Sequence, residues 1–120
     1  MKLVCVPDDA PAVLALSPSF ARLKAAAEVR YFDTLPGPEA ILIERMQGAE
    51  AVLNVRSSSK LTRTVLASCP ELRMISIWGT GTDNVDLEAA RALGIRVTNT
   101  PAVSATSIAE HTLALMLAVA

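Results

Sequence analysis

The chain has 120 residues, the size of one domain, and 52% of them are hydrophobic, which is enough for a buried core. Its 11 basic and 12 acidic residues give a net charge of −1 without a basic stripe, which argues against nucleic-acid partners and against a membrane surface. The 2 cysteines have no metal-ligand spacing and are too few for a disulfide-rich secreted scaffold, so we expect a cytoplasmic protein without a metal site.

Hydrophobic periodicity divides the chain into alternating strands and helices. Strands are predicted at 2–6, 29–32, 51–55, 73–78 and 95–99, and helices at 17–27, 36–46, 59–68, 86–93 and from Ser104 or Ser107 onward. Ser17, Ser59 and Asp86 fit as N-cap residues, and Ser107 with Glu110 fits a capping box. This alternation with short loops predicts an α/β fold, a five-stranded parallel sheet with helices on both faces.

The last predicted helix is apolar on nearly every side, with Ile108, Leu113, Met116 and Val119 spread around it. A helix of this kind is normally covered by other parts of a protein. It has no glycine, basic residue or breaker that would end it. We therefore expect a chain cut short at this point. The alternative is a helix that docks on its own domain or on a partner subunit.

The segment 79–84, Gly-Thr-Gly-Thr-Asp-Asn, lies between a predicted strand and a predicted helix, as the dinucleotide fingerprint G-x-G-x-x-G does. However, Asn84 replaces the third glycine, the expected acidic residue after the next strand is missing, and the loop follows the fourth strand instead of the first. Two other interpretations are a tight turn with two residues at positive φ, and a loop whose free amides hold an anion such as a carboxylate. We favour the anion-binding loop.

Asp8 and Asp9 follow the first predicted strand, where response-regulator receiver domains carry paired acids. Those domains also need an Asp at the end of the third strand and a Lys after the fifth. Here the third strand ends in Asn54-Val55-Arg56, and no Lys follows the fifth. The aspartate pair is therefore predicted to lie in a solvated loop or to cap a helix.

Arg56 and His111 are the other candidates for chemistry. Arg56 follows the third strand with three serines behind it, which fits either a bidentate anion binder or a surface arginine beside a helix cap at Ser59. His111 is the single histidine and follows Glu110 in the last helix. Adjacent helix residues point about 100° apart, so His111 is interpreted as a structural helix residue.

Several motifs follow one another between Asn54 and Thr112. They are, in order, Val55-Arg56-Ser57, Leu72-Arg73-Met74-Ile75-Ser76-Ile77, Gly79-Thr80-Gly81-Thr82-Asp83-Asn84-Val85-Asp86, Ala89-Ala90, Gly94-Ile95-Arg96-Val97, Asn99-Thr100-Pro101 and Ser107-Ile108-Ala109-Glu110-His111-Thr112. In this order the chain resembles the D-2-hydroxyacid dehydrogenase family, most closely its 3-phosphoglycerate dehydrogenase-like branch. Residues 1–50 match only as a generic flavodoxin-like βαβ pattern.

The resemblance implies a domain organisation. In this family both chain ends form a flavodoxin-like substrate-binding domain, with a Rossmann domain inserted between them. Residues 1–101 are accordingly expected to be the substrate-binding (catalytic) domain, and residues 102–120 a linker helix that leads into a Rossmann NAD-binding domain absent from this sequence. NAD would be held mainly by that missing domain, and this fragment alone is expected to be inactive.

The resemblance also implies an NAD-dependent oxidoreductase that moves a hydride between C2 of a 2-hydroxy acid and the nicotinamide. The family's catalytic His, Glu and Arg lie later in sequence, so no catalytic residue is expected in this fragment, and His111 does not match the catalytic His. The residues expected to bind substrate are Arg56, Ser57, Trp78, Gly79 and Thr80. Thr80 and Ser104 are expected near the cofactor.

Two questions stay open at this point. Trp78 replaces the small residue common in the phosphoglycerate branch, so 3-phosphoglycerate is one candidate among small 2-hydroxy and 2-oxo acids, and the choice between NAD and NADP is undecided. A homodimer is expected. The alternative is a stand-alone flavodoxin-like module that binds an anion or a partner without catalysis, with its apolar helix as an oligomer interface.

Overall fold

A computed structural model describes residues 2–102 and 104–120. Within these ranges strands and helices alternate: β1 (Leu3–Val6), α1 (Pro18–Ala26), β2 (Glu28–Tyr31), α2 (Glu39–Met46), β3 (Ala51–Asn54), α3 (Arg63–Ala67), β4 (Met74–Ile77), α4 (Leu87–Ala92), β5 (Arg96–Thr98) and α5 (Ala105–Val119). The strands form one parallel sheet in the order β2-β1-β3-β4-β5. This is the flavodoxin-like order, and the predicted α/β fold is confirmed.

The strand order changes direction at β1. Val4 pairs with Val29 of β2 on one side and with Ala51 of β3 on the other. The chain therefore leaves β1 and β3 toward opposite halves of the sheet, which opens a crevice at their carboxyl ends. Open α/β sheets bind ligands in that crevice, so the segments after β1, β3 and β4 are where a site is expected.

Aliphatic side chains cover the two faces of the sheet unequally. The larger core lies under α2, α3 and α4 and includes Leu42, Val52, Leu66, Ile75 and Ala89. The smaller core, on the side of α1, consists of Val6, Leu14 and Val55 with Phe20 and Tyr31 packed at its border. Each fully buried Leu or Ile contributes roughly 1.5–3 kcal/mol, so the larger core supplies most of the hydrophobic stabilisation.

The third helix begins later than predicted. Thr62 caps it, with its Oγ1 accepting a hydrogen bond from the amide of Val65 at 3.3 Å. Leu61 instead forms a bridge to the chain before α4: its amide donates to the Asn84 carbonyl at 2.7 Å, and its carbonyl accepts from the Asp86 amide at 3.0 Å. The predicted cap at Ser59 is wrong because this bridge holds the backbone after Ser59 extended.

The second helix starts later than predicted, whereas the last helix starts at the first of its two predicted positions, with Ser104 as its N-cap residue. The second helix begins at Glu39, since Gly37 has a φ of +69° and Pro38 is extended. The last helix begins at Ala105, and the amide of Ile108 already donates to the Ser104 carbonyl at 2.9 Å. The predicted capping box at residues 107 and 110 is therefore wrong, because these residues lie inside the helix.

Helix α5 lies outside the packed domain. No side chain of Ala105–Val119 is buried, and the exposed fractions of Ile108, Met116 and Val119 are 62%, 62% and 85%. Docking of this helix on its own domain, one of the predicted alternatives, is wrong for the residues that the structure describes. The site must therefore be sought on the sheet and its loops.

Candidate functional site

A cleft of about 530 Å³ lies at the carboxyl edge of β3 and β4. One wall follows β3 and includes Arg56, Ser57 and Lys60, and the other follows β4 and includes Trp78 and Gly79. Asn54 and Asn84 lie between the walls, and Gly81 and Asp83 complete the second wall. The sequence placed these segments at one edge of the sheet, and the structure brings them together around one cavity.

Arg56 is the central cation of the first wall. Its Nη2 donates to the carbonyl of Pro11, which follows β1. Its Nε is buried and has no partner among the residues that the structure describes. The guanidinium of Arg56 is thus anchored at one end with donors left over, and a buried unpaired donor is costly unless a ligand satisfies it.

Lys60 adds a second cation that the sequence interpretation missed. Its Nζ donates to the Ser57 carbonyl at 2.9 Å, and its side chain lines the same cleft. Lys60 follows Arg56 by 4 residues, so two cations close behind one strand end were the available signal. Asp83 brings one negative charge to the opposite wall. An anion in the cleft would therefore be held against the Arg56 and Lys60 wall.

The glycine loop of the second wall is joined to the chain after β5. Gly79 has a φ of +144°, and its amide donates to Thr100 Oγ1 at 2.9 Å. The side-chain Nδ2 of Asn99 donates to the Thr80 carbonyl at 2.8 Å, and Thr80 Oγ1 donates to the Thr100 carbonyl at 3.2 Å. Two predicted features change: the amide of Gly79 is not free, and Gly81 does not have a positive φ.

A buried network of hydrogen-bonded polar side chains forms the floor of the cleft. Asp8 Oδ1 accepts from the Val55 amide at 2.9 Å, and Asp8 Oδ2 accepts from the Arg56 amide at 3.1 Å and from Asn54 Nδ2 at 2.7 Å. Asn54 Oδ1 in turn accepts from Asn84 Nδ2 at 2.8 Å. Asp8 is fully buried, so the prediction of a solvated loop or helix cap is wrong for it.

Asp9 is also fully buried but faces another part of the molecule. Its carboxylate accepts from the amides of Val13, Leu14 and Ala15 and from the Tyr31 hydroxyl at 2.7 Å. Burial raises the pKa of this carboxyl, but the amide and hydroxyl donors outweigh it and leave the pKa below its ordinary value. Asp9 caps the turn at residues 13–15 and is neither solvated nor at the start of a helix, so the prediction of a solvated loop or helix cap is wrong for it as well.

Two other predicted site residues, Thr80 and Ser104, are exposed and do not line the cleft. Thr80 points its hydroxyl at the Thr100 carbonyl, and Ser104 stands at the start of α5 without a side-chain cap bond. Trp78, which does line the cleft, is 41% exposed, so its indole forms part of the rim. His111 is exposed on α5, away from the sheet edge.

Other sources of chemistry are scarce in the described part of the chain. Residues 2–102 and 104–120 contain no cluster of His, Cys, Asp or Glu that could hold a metal ion. No helix in these ranges is long and apolar enough to cross a membrane. Cys5 and Cys69 are free and buried, and burial raises the pKa of Cys5 to about 12 and also that of Cys69, so neither is a ready thiolate.

Comparison with known proteins shows which family this chain resembles in sequence. The sequence pattern that defines the family described as "D-isomer specific 2-hydroxyacid dehydrogenase, catalytic domain" matches residues 12–116. The chain belongs to this family. The resemblance inferred from the motifs between Asn54 and Thr112 is thereby confirmed, and the match extends into the N-terminal half.

Individual relatives and solved structures show the same similarity. The D-3-phosphoglycerate dehydrogenase of Mycobacterium leprae (strain TN) is 40% identical over 116 residues, covering 92% of this chain and 21% of that protein. The TT0316 protein from Thermus thermophilus superposes with a TM-score of 0.82 at 33% identity, covering 100% of this chain and 37% of the other. NAD⁺-bound 3-phosphoglycerate dehydrogenase of Entamoeba histolytica gives 0.80 at 25% identity, covering 96% and 38%. The chain spans about a fifth of the length of its curated relatives.

Proposed function

We propose that this chain supplies the substrate-binding part of an oxidoreductase that transfers a hydride between C2 of a small 2-hydroxy acid and NAD. The observation that carries the proposal is the cleft after β3 and β4, which places Arg56 and Lys60 on one wall and the Gly79–Gly81 loop on the other. A 2-hydroxy acid with a second anionic group has a carboxylate at one end and a charge at the other. The two walls fit those two ends.

Arg56 and Ser57 would hold the distal anionic end of the substrate. The guanidinium is fixed by the Pro11 carbonyl, so little rotamer entropy is lost when it binds an anion. The Lys60 ammonium lies on the same wall and adds a second positive charge, which suits a doubly charged group such as a phosphate. Relatives named D-3-phosphoglycerate dehydrogenase make 3-phosphoglycerate the first substrate to test.

The loop of the second wall would hold the carboxylate. The Gly79 amide is occupied by Thr100 Oγ1, so the amide of Gly81, which lines the cleft and has no acceptor within the described ranges, is the donor we assign to it. Trp78 at the rim would limit the size of the group on C2 and exclude water from that side. We assign no proton transfer to this chain, because neither His111 nor a cysteine thiolate faces the cleft.

The residues present fit the edge of a cofactor site and not a complete dinucleotide site. Asn84 stands where the fingerprint has its third glycine, which allows close packing of helix against strand, and its buried side chain is instead hydrogen-bonded to Asn54. The exposed hydroxyls of Thr80 and Ser104 could contact the nicotinamide end of NAD. When bound, NAD supplies the hydride acceptor, and this chain holds the substrate against it.

The proposed domain boundary follows the same division. Residues 1–101 would form the substrate-binding domain and residues 102–120 the helix that connects it with a nucleotide-binding domain. The exposed apolar side chains of α5 support this assignment, since they need a covering surface that the sheet domain does not provide. Homodimer formation is part of the same proposal, with α5 as the first surface to test.

Titration of the ¹⁵N-labelled chain with D-3-phosphoglycerate tests the proposal. We expect saturable shifts of the amide resonances of residues 55–60 and 79–81. Arg56→Ala should weaken binding at least about tenfold, because it removes charge-assisted hydrogen bonds, and Arg56→Lys should restore only part of the affinity. Arg22→Ala, which removes an exposed arginine on α1, is the matched control and should leave the affinity unchanged.

Other outcomes of the titration would contradict this assignment. Failure of the wild-type chain to bind any 2-hydroxy acid, 2-oxo acid or inorganic phosphate at this cleft would remove the site. Equal binding of inorganic phosphate and D-3-phosphoglycerate would favour the alternative of a simple anion-binding module. Binding of NAD⁺ with shifts centred on residues 79–84 would mean that the glycine loop is itself a nucleotide site.

A further inference from the structure

The cleft rests on three polar side chains that come from three separate segments. Asp8 follows β1, Asn54 ends β3 and Asn84 ends the loop after β4, and their exposed fractions are 0%, 1% and 5%. Burying a carboxylate and two amides at one place is unfavourable unless each group finds partners. Their placement directly under the cleft therefore calls for an explanation beyond filling space.

The hydrogen bonds of the three residues can run in only one direction. A carboxylate only accepts, so Asp8 requires Asn54 to turn its Nδ2 toward it, at 2.7 Å. That orientation leaves Asn54 Oδ1 facing Asn84, whose Nδ2 donates to it at 2.8 Å. Asn84 Nδ2 also donates to the Ser59 carbonyl at 2.9 Å. Flipping either amide would place two donors or two acceptors against each other. The Asp8 carboxylate therefore fixes the orientation of the side-chain amides of Asn54 and Asn84.

The hydrogen-bond network of Asp8, Asn54 and Asn84 also includes backbone groups on both sides of the cleft. Asp8 accepts from the Arg56 amide, and Asn54 Nδ2 donates to the Arg56 carbonyl at 3.0 Å, so the peptide groups on both sides of the Arg56 Cα are held. Asn84 directly follows Asp83 of the second wall, and its carbonyl accepts from the Leu61 amide at 2.7 Å. These bonds therefore connect the backbone at Arg56 with the backbone at the end of the Gly79–Asn84 loop.

We infer that Asp8, Asn54 and Asn84 act together as positioning residues, which hold the Arg56 backbone in register with the Gly79–Asn84 loop. Their amide donors are taken up by protein acceptors, so they act on a ligand through Arg56. The effect on ligand affinity rests on the proposed function, whereas the coupling between the two walls does not. The inference assigns a role in the site to Asp8, which lies outside the cleft lining.

The test compares Asn84→Ala and Asp8→Asn with Asp9→Asn, in the ¹⁵N-labelled 120-residue chain. Asp9 is the matched control because it is equally buried and also accepts from backbone amides, but toward the turn at residues 13–15. Without ligand, Asn84→Ala should shift the amide resonances of Val55 and Arg56, which are on the opposite wall. With D-3-phosphoglycerate, Asn84→Ala and Asp8→Asn should each weaken binding about tenfold, while Asp9→Asn stays within about twofold of wild type.

A double-mutant cycle separates positioning from general destabilisation. Asn84→Ala and Asp8→Asn interrupt the same hydrogen-bond network, so the double variant should bind the ligand hardly more weakly than either single variant does. Asn84 and Asp9 belong to separate networks, so Asn84→Ala combined with Asp9→Asn should give additive losses in the free energy of unfolding. Asn84→Ser, which keeps a hydroxyl donor, is made in parallel in case Asn84→Ala does not fold, and should give the same shifts at Val55 and Arg56 to a smaller extent.

The inference is overturned if folded Asn84→Ala or Asn84→Ser leaves the Val55 and Arg56 resonances in place. It is equally overturned if Asp9→Asn weakens ligand binding as much as Asp8→Asn does. A wild-type chain that binds no ligand would remove the proposed function. The resonance shifts of the ligand-free variants would still decide whether the two walls are coupled.

Discussion

Asp8 and Asp9 are adjacent, identical in chemistry and both fully buried, yet they serve two different regions. Asp8 is bound to the segments after β3 and forms the floor of the cleft. Asp9 is bound to the turn at residues 13–15 and to Tyr31 of β2, on the other side of β1. Both residues lie beyond the end of β1, and because β2 and β3 flank β1 on opposite sides, one carboxylate reaches the site and the next reaches the scaffold.

The comparison predicts that the two regions can be damaged separately, and the largest effect is expected at Asp9. Asp9→Ala leaves three amides and one hydroxyl without their acceptor, so the free energy of unfolding should fall by about 3 kcal/mol or more. Urea denaturation measures this loss. The affinity of the remaining folded protein for D-3-phosphoglycerate should be unchanged. A loss below about 1 kcal/mol would show that water replaces the carboxylate, and the scaffold role would be wrong.

Tyr31→Phe should produce an intermediate effect on the same region. The Tyr31 hydroxyl donates to Asp9 at 2.7 Å, and its loss should lower the free energy of unfolding by about 1–2 kcal/mol without affecting the cleft. The ring should keep its packing, because Phe20 lies 5.0 Å from the Tyr31 ring centre to centre and phenylalanine retains that contact.

The same pair predicts how stability changes with pH. Burial and then the bond to Asp9 raise the pKa of Tyr31 from 10.0 to about 12, so its contribution is present below pH 10 and is lost between pH 10 and about 12. The lowered pKa of Asp9 acts in the opposite sense: its contribution is present above its ordinary value of 3.8 and is lost at lower pH. Urea denaturation midpoints measured across this pH range report both effects. The Tyr31→Phe variant should lack the decrease in stability that the wild-type chain shows above pH 10.

The smallest effect is expected at Lys24, at the border of the scaffold region. Its ammonium lies 4.7 Å from the centre of the Phe20 ring, on the surface of α1. Lys24→Gln should lower the free energy of unfolding by about 0.5–1 kcal/mol, because an exposed cation–π contact is weak. Calorimetric melting measures the change. Any effect of Lys24→Gln on ligand affinity would contradict the separation between the two regions.

Local rules were sufficient for most elements of the fold. The alternation of apolar segments predicted all five strands to within a few residues, and capping chemistry located α1 and α4, where Ser17 accepts from the Ser19 amide and Asp86 from the Ala89 amide. Ser59 misled the same rule for α3, because its pattern is local whereas the bridge between Leu61 and Val85 joins segments far apart in sequence. Strand order followed only once the strands were paired in space.

The candidate site was partly predictable for the same reason. Arg56, Ser57, Trp78 and Gly79 follow strands, so the sequence placed them at the carboxyl edge of a parallel sheet, and they do line one cleft. Whether they bind substrate remains a prediction. Lys60 was missed although it lies on the same wall, because its one sequence signal, the spacing of 4 residues behind Arg56, does not show which side of the backbone its side chain takes.

By itself, the sequence determined the fold class, the family and the segments that meet at the carboxyl edge, because periodicity, caps and ordered motifs are properties of neighbouring residues. Only the tertiary structure decided that Asp8 and Asp9 are buried, that they face different regions and that Asn84 is bound to Asn54. Burial of a polar side chain depends on whether distant segments provide its partners. For Asp8 those partners lie 46 to 48 residues away along the chain, where no local pattern reveals them.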